Sequence, residues 1–94
     1  KKTTYQSGLA VWYISLILDI NVIVLTNDKI EVYFSESTYD NCKPHILLGR
    51  NEHDTYQPII YDKTRLLTYF DHNVIKTLID SNNKIEINLG TFQK

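Results

Sequence analysis

The sequence predicts an α/β (α+β) domain: a small sheet of about five strands, most of them antiparallel, on a buried N-terminal helix, with a second helix near the C-terminus. Three observations carry this. The run SGLAVWYISLILDINVIVLT, residues 7–26, is almost wholly apolar and long enough for a helix followed by a strand. Short alternating or apolar segments recur at 29–34, 45–48, 56–61 and 85–89, punctuated by Asn, Asp, Gly and Pro. Between the last two lies one stretch, 71–81, with helical spacing of its apolar residues.

Each element has a local reason. Ser7 is placed to cap a helix over 7–19 by accepting a bond from a backbone N–H two or three residues on. From Leu9 to Leu18 only Ser15 is clearly polar. A helix apolar on most faces is expected to be covered on most faces. Trp12 belongs in the core, with its indole N–H needing an acceptor there. Ile20-Asn21-Val22-Ile23-Val24-Leu25-Thr26 is rich in β-branched residues and nearly continuous in apolar character, as a strand covered on both sides is.

Asn27-Asp28 is a two-residue turn signal, and Lys29-Ile30-Glu31-Val32-Tyr33-Phe34 alternates like a strand with one wet face. Residues 35–43, SESTYDNCK, form a polar loop in which Asp40-Asn41 suits an Asx-type turn. Pro44 opens the strand His45-Ile46-Leu47-Leu48, and 49–55 is a polar hairpin loop. In the returning strand, 56–61, Pro58 removes a ladder donor and points to an edge position or a bulge. Residues 66–70 are ambiguous between strand and helix. Asp71 is an N-cap candidate for a helix with Val74, Ile75, Leu78 and Ile79 on one face. Ile85, Ile87 and Leu89 alternate with Glu86 and Asn88 in a half-buried last strand that stops at Gly90.

Ninety-four residues make one domain, 1–94, which buries roughly 60–65% of the surface its unfolded chain exposes. The chain starts in KKTTYQ without an initiating Met and without a signal-peptide pattern, which leaves a fragment or a processed product open. A net charge of -1 argues against a nucleic-acid partner, since Lys1-Lys2 is the only adjacent basic pair. Asp19 and Asn21 interrupt the apolar run where a bilayer centre would fall, so no membrane span is expected. The single cysteine, Cys42, excludes an internal disulfide and a Cys-rich zinc site and fits an intracellular, reducing location.

No cofactor or metal is expected, because His45, His53 and His72 match no ligand spacing and three scattered glycines make no phosphate loop. The lean toward Ile, Asn, Lys, Tyr and Asp, residues of AT-rich codons, suggests an AT-rich genome such as that of a large DNA virus or certain protists.

Residue types for nucleophilic catalysis are present. Cys42 with His45 or His53 and a neighbouring acid such as Asp54 would supply nucleophile, base and orienting group. Cys42, however, leads into Pro44 and a strand rather than a helix N-terminus that would lower its pKa. His53-Asp54 could form a base with its orienting carboxylate or a metal-ligand pair but more simply makes a solvated loop tip, and His72 beside Asp71 suits the first turn of a helix.

The order of elements and three stretches resemble the C-terminal half of OTU-like cysteine proteases, which are papain-like deubiquitinases. The stretches are LAVWYISLILDINVIV at 9–24, Pro44-His45-Ile46-Leu47-Leu48, and Tyr56-Gln57-Pro58-Ile59. The similarity spans roughly residues 5–61, and the same stretches also resemble parts of proteins of large DNA viruses.

The resemblance implies the scaffold. It also implies a catalytic His immediately before Tyr56, where this chain has Thr55, which cannot act as a base near neutral pH. His53 lies two residues upstream and would need a bulged loop to reach that point. The family nucleophile, in an Asp-Gly-x-Cys segment opening a helix, has no counterpart, and Asp40-Asn41-Cys42 echoes it in the wrong order along the fold. The expectation is therefore a catalytically inactive, OTU-like module that binds protein. Its partner would be a ubiquitin-like protein or other subunits of a larger viral assembly in host cytoplasm or virion. The alternative is an active cysteine protease using Cys42, His53 and Asp54, or a nucleophile outside this chain. A third expectation is a purely structural fragment that folds within its parent.

Overall fold

The computed structural model describes residues 2–53, 55–60, 63 and 66–88, with side chains of the first helix from Gly8 onward. The elements run α1 (Lys2–Leu18), β1 (Asn21–Leu25), β2 (Ile30–Tyr33), β3 (His45–Arg50), β4 (Tyr56–Ile59), α2 (Asn73–Ile79) and β5 (Lys84–Ile87). The strands form one sheet in the order β4-β3-β1-β2-β5. The α+β class and the five-stranded sheet with the N-terminal helix packed on it are as expected.

The pairing is evenly mixed rather than mostly antiparallel. β1 pairs antiparallel with β2, and β3 with β4, while β1–β3 and β2–β5 are parallel. The β1–β2 hairpin has the expected two-residue loop, closed by the Thr26 N–H donating to the Lys29 carbonyl at 3.1 Å. β3 takes the open flank of β1 and β5 the open flank of β2, each running parallel to its neighbour.

Strand alternation divides the core between the two faces. Val22 and Val24 point toward Val11 and Trp12 of α1, with Ile20 and Tyr33. Ile23, Val32, Phe34 and Leu47 point the other way, toward Ile75 and Ile79 of α2. The domain is thus three-layered, helix–sheet–helix, and β1 is buried on both sides as its run of β-branched residues requires.

Several local expectations change. The helix α1 starts at Lys2, not after Ser7, and extends by more than a turn. It ends in a Schellman arrangement: Asp19 adopts φ 56°, and the Ile20 N–H donates to the Ser15 carbonyl at 3.2 Å. The residue before Asn73 in α2 is His72, which makes no side-chain cap, so Asp71 is not the N-cap. Glu31 and Tyr33 are buried, so β2 has no wet face. β2 sits between β1 and β5, and the Glu31 charge is matched there by an arginine. In β5, Ile85 is exposed rather than inward-facing. Pro58 does lie on an edge strand, opposite Leu48. Leu67 of the ambiguous 66–70 segment makes a single antiparallel bridge to His45 and is buried. Tyr61, Leu89 and Gly90 lie outside the described residues.

The largest departure concerns α1. The sheet covers one face of it, Gly8, Val11, Trp12 and Ser15, an i, i+3, i+4, i+7 stripe. Leu9, Ala10, Tyr13, Ile14, Leu16, Ile17 and Leu18 are exposed. One sheet can cover only one flank of a helix, and no second layer among the described residues lies over the other.

Candidate functional site

The loops carrying Cys42 and His53 are at opposite ends of β3. Cys42 precedes the strand, His53 follows it, and six residues of strand span roughly 17–20 Å. Cys42 is an exposed thiol whose backbone N–H donates to Asp40 Oδ1 at 2.9 Å, the Asx-type turn expected there. His53 is exposed at a loop tip and lies 3.7 Å from Glu52. The Asn51 side chain holds that loop, accepting from the N–H groups of His53 and Thr55 at 2.9 and 3.0 Å. Asp54 lies outside the described residues. The Cys42–His53 pair therefore does not assemble, because the strand between them is extended and cannot fold its ends together.

His45, the other imidazole considered for Cys42, is turned inward. It is fully buried, with Nε2 at 2.5 Å from the Tyr39 hydroxyl and 3.3 Å from Asn21 Nδ2. Asn21 Nδ2 also donates to the Asp40 carbonyl at 2.8 Å. Burial lowers the His45 pKa to about 4, only partly offset by the Leu67 carbonyl. The ring is neutral at physiological pH, and with Tyr39 and Asn21 as donors its Nε2 is already engaged. This cluster ties the 34–44 loop to the starts of β1 and β3. Nothing in the sequence links Asn21, Tyr39 and His45; only the parallel register that sets Asn21 opposite His45 brings them together.

A second polar network lies on the α1 side of the sheet. Arg50 approaches Glu31 with both terminal nitrogens, at 3.2 and 3.0 Å, and the Tyr33 hydroxyl donates to the same carboxylate at 2.8 Å. Lys29 stands 3.6 Å from Glu31. Burial opposes the Arg50 charge, but bonds to Tyr56 and Glu31 outweigh it and raise its pKa. Burial, with the adjacent Glu31 carboxylate, drives the Tyr33 phenol well above its usual range.

Beside this network, at the carboxyl ends of β1 and β3, a cleft of about 290 Å³ is lined by Thr26, Asn27, Arg50, Asn51, Thr55 and Gln57. Ligands favour such strand ends in open α/β sheets. Here, however, the guanidinium is already bidentate to a buried carboxylate, and the cleft is shallow and open.

The outer flank of α1 is the most unusual surface. Tyr13, Ile17 and Leu18 are 55%, 66% and 60% exposed, and Leu9, Ile14 and Leu16 about 40% each. At 3.6 residues per turn, Leu9, Ala10, Tyr13, Ile14, Leu16 and Ile17 form one continuous face. No charged residue occurs between Gly8 and Leu18. The sequence showed this helix to be apolar all round but carried no polar stripe to mark which side faces water.

Among the described residues, no group of three or more His, Cys, Asp or Glu side chains could hold a metal ion. No described helix is long and apolar enough to cross a membrane. Comparison with known proteins finds no matching family model, curated protein or solved structure.

Proposed function

We propose that this chain is a protein-binding module without hydrolase activity of its own, and that the outer flank of α1 is its docking surface. One observation carries the reading: a helix with apolar side chains on both flanks, of which the described residues cover one. Single exposed apolar residues are ordinary, but a contiguous uncharged face of this kind marks an interaction site. An OTU-like scaffold that has lost its acid–base machinery is compatible with this, with Thr55 where the family base would stand. A ubiquitin-like protein or a subunit of a larger assembly belongs to the same reading, as does an intracellular location, which the single free Cys42 favours.

The test has two arms. Full-length chain incubated with a ubiquitin-type amide substrate is expected to leave it intact. Wild type in dilute solution is expected to bind an apolar dye, and Ile17→Lys to bind much less. Cleavage that disappears in Cys42→Ala contradicts the first arm. A folded, monomeric wild type that binds no dye contradicts the second.

A further inference from the structure

We propose that the occupant of the outer α1 face is a second copy of this chain, the two α1 helices packing antiparallel about a twofold axis. This names the partner of the surface described above and rests on that reading.

The chemistry of the face narrows its occupant. It carries no charge, so an acidic or basic partner meets nothing complementary. It is the convex flank of a single helix, so an extended peptide finds no trough to lie in. A second α1 brings the same uncharged, convex stripe, which matches itself.

The area agrees. The large side chains at the seam, Leu9, Tyr13, Leu16 and Ile17, are exposed by 38%, 55%, 44% and 66% and present on the order of 350–400 Å² of apolar surface, within the range of a monomer's largest patch. Two such seams set against each other bury on the order of 700–800 Å² in total, the scale of a weak, concentration-dependent pair.

The spacing also agrees. Leu9, Tyr13 and Leu16 follow the four-then-three step of a helix–helix seam, flanked by Ala10 and Ile17. The small side chain of Ala10 lets the two axes approach toward the close end of the usual 8–10 Å separation. With the twofold near Tyr13, Leu9 of each copy meets Leu16 of the other, and the contact closes at two copies.

Sedimentation of the full chain from submicromolar to high-micromolar concentration tests this. Wild type is expected to rise from its 11.0 kDa chain mass toward twice that value, and Ile17→Lys to associate at least tenfold more weakly. In a Cys42→Ser background, Tyr13→Cys should form a disulfide-linked dimer on mild oxidation, whereas Leu66→Cys, also exposed, should not. This pair of variants serves if Ile17→Lys fails to fold. A wild type that stays monomeric, or equal cross-linking at residues 13 and 66, overturns the proposal. A wild-type monomer that still binds apolar dye through α1 overturns the pairing alone; a monomer that binds none ends the docking reading as well.

Discussion

The Tyr39 hydroxyl lies 2.5 Å from Nε2 of His45, joining a half-buried loop residue to the fully buried first residue of an interior strand. The contact is made by a neutral imidazole, because burial holds the His45 pKa down to about 4.

This predicts a stability slope in mildly acid solution. An unfolded histidine titrates near 6.5, so between about 6.5 and 4 the unfolded chain binds more protons than the folded one. Stability is therefore full above the unfolded value and falls as pH drops through the window, by about 2–3 kcal/mol at pH 4.5. Urea denaturation at several pH values checks it. His45→Phe, if it folds, should be less stable at pH 7.5 and lack most of the slope between pH 6.5 and 4.5. An unchanged slope would move its origin elsewhere.

The Arg50–Glu31 pair predicts a non-additive cycle. Arg50→Met leaves Glu31 buried with, among the described residues, Tyr33 and Lys29 as its remaining partners, and should cost about 2–4 kcal/mol. Replacing both residues, as Glu31→Leu with Arg50→Met, should recover most of that loss, because apolar side chains of similar size suit the site. Denaturant midpoints of the single and double variants give the coupling directly.

Asp19 ends α1 in the left-handed region, at φ 56°. A β-branched residue there is strained, so Asp19→Val should destabilise by about 1–2 kcal/mol. It also removes the ion pair in which Lys43 Nζ lies 2.6 Å from Asp19 and 2.8 Å from Glu36. Asp19→Gly loses the same exposed pair without the strain and should stay within about 0.5 kcal/mol of wild type. Thermal melts of the two variants separate backbone strain from charge.

What the sequence made legible was whatever its periodicity encodes. Val22, Ile23 and Val24 announced a strand buried on both sides, Asn27-Asp28 announced the hairpin, and Val74, Ile75, Leu78 and Ile79 announced the packed face of α2. The parallel partners of β1 and β2 were not legible, because no crossover helix separates β1 from β3 and the strands carry no mark of direction. The His45 cluster stayed hidden because its members come from a strand start, a loop and another strand start, joined only by register. The one-sided burial of α1 stayed hidden for the opposite reason. Both flanks of the helix are apolar, and pattern alone could not say which one the sheet would take.

The most direct measurement contrasts the two flanks of that helix. Unfolding by urea, followed by Trp12 fluorescence at submicromolar concentration, is compared for Ile17→Lys and Val11→Lys. Val11 is 4% exposed against the sheet and Ile17 is 66% exposed. An outer face offered to a partner predicts that Ile17→Lys stays within about 0.5 kcal/mol of wild type, while Val11→Lys loses about 3 kcal/mol or more. Equal, severe losses at both positions would mean that the fold already covers α1 on both flanks, and the docking surface would not exist.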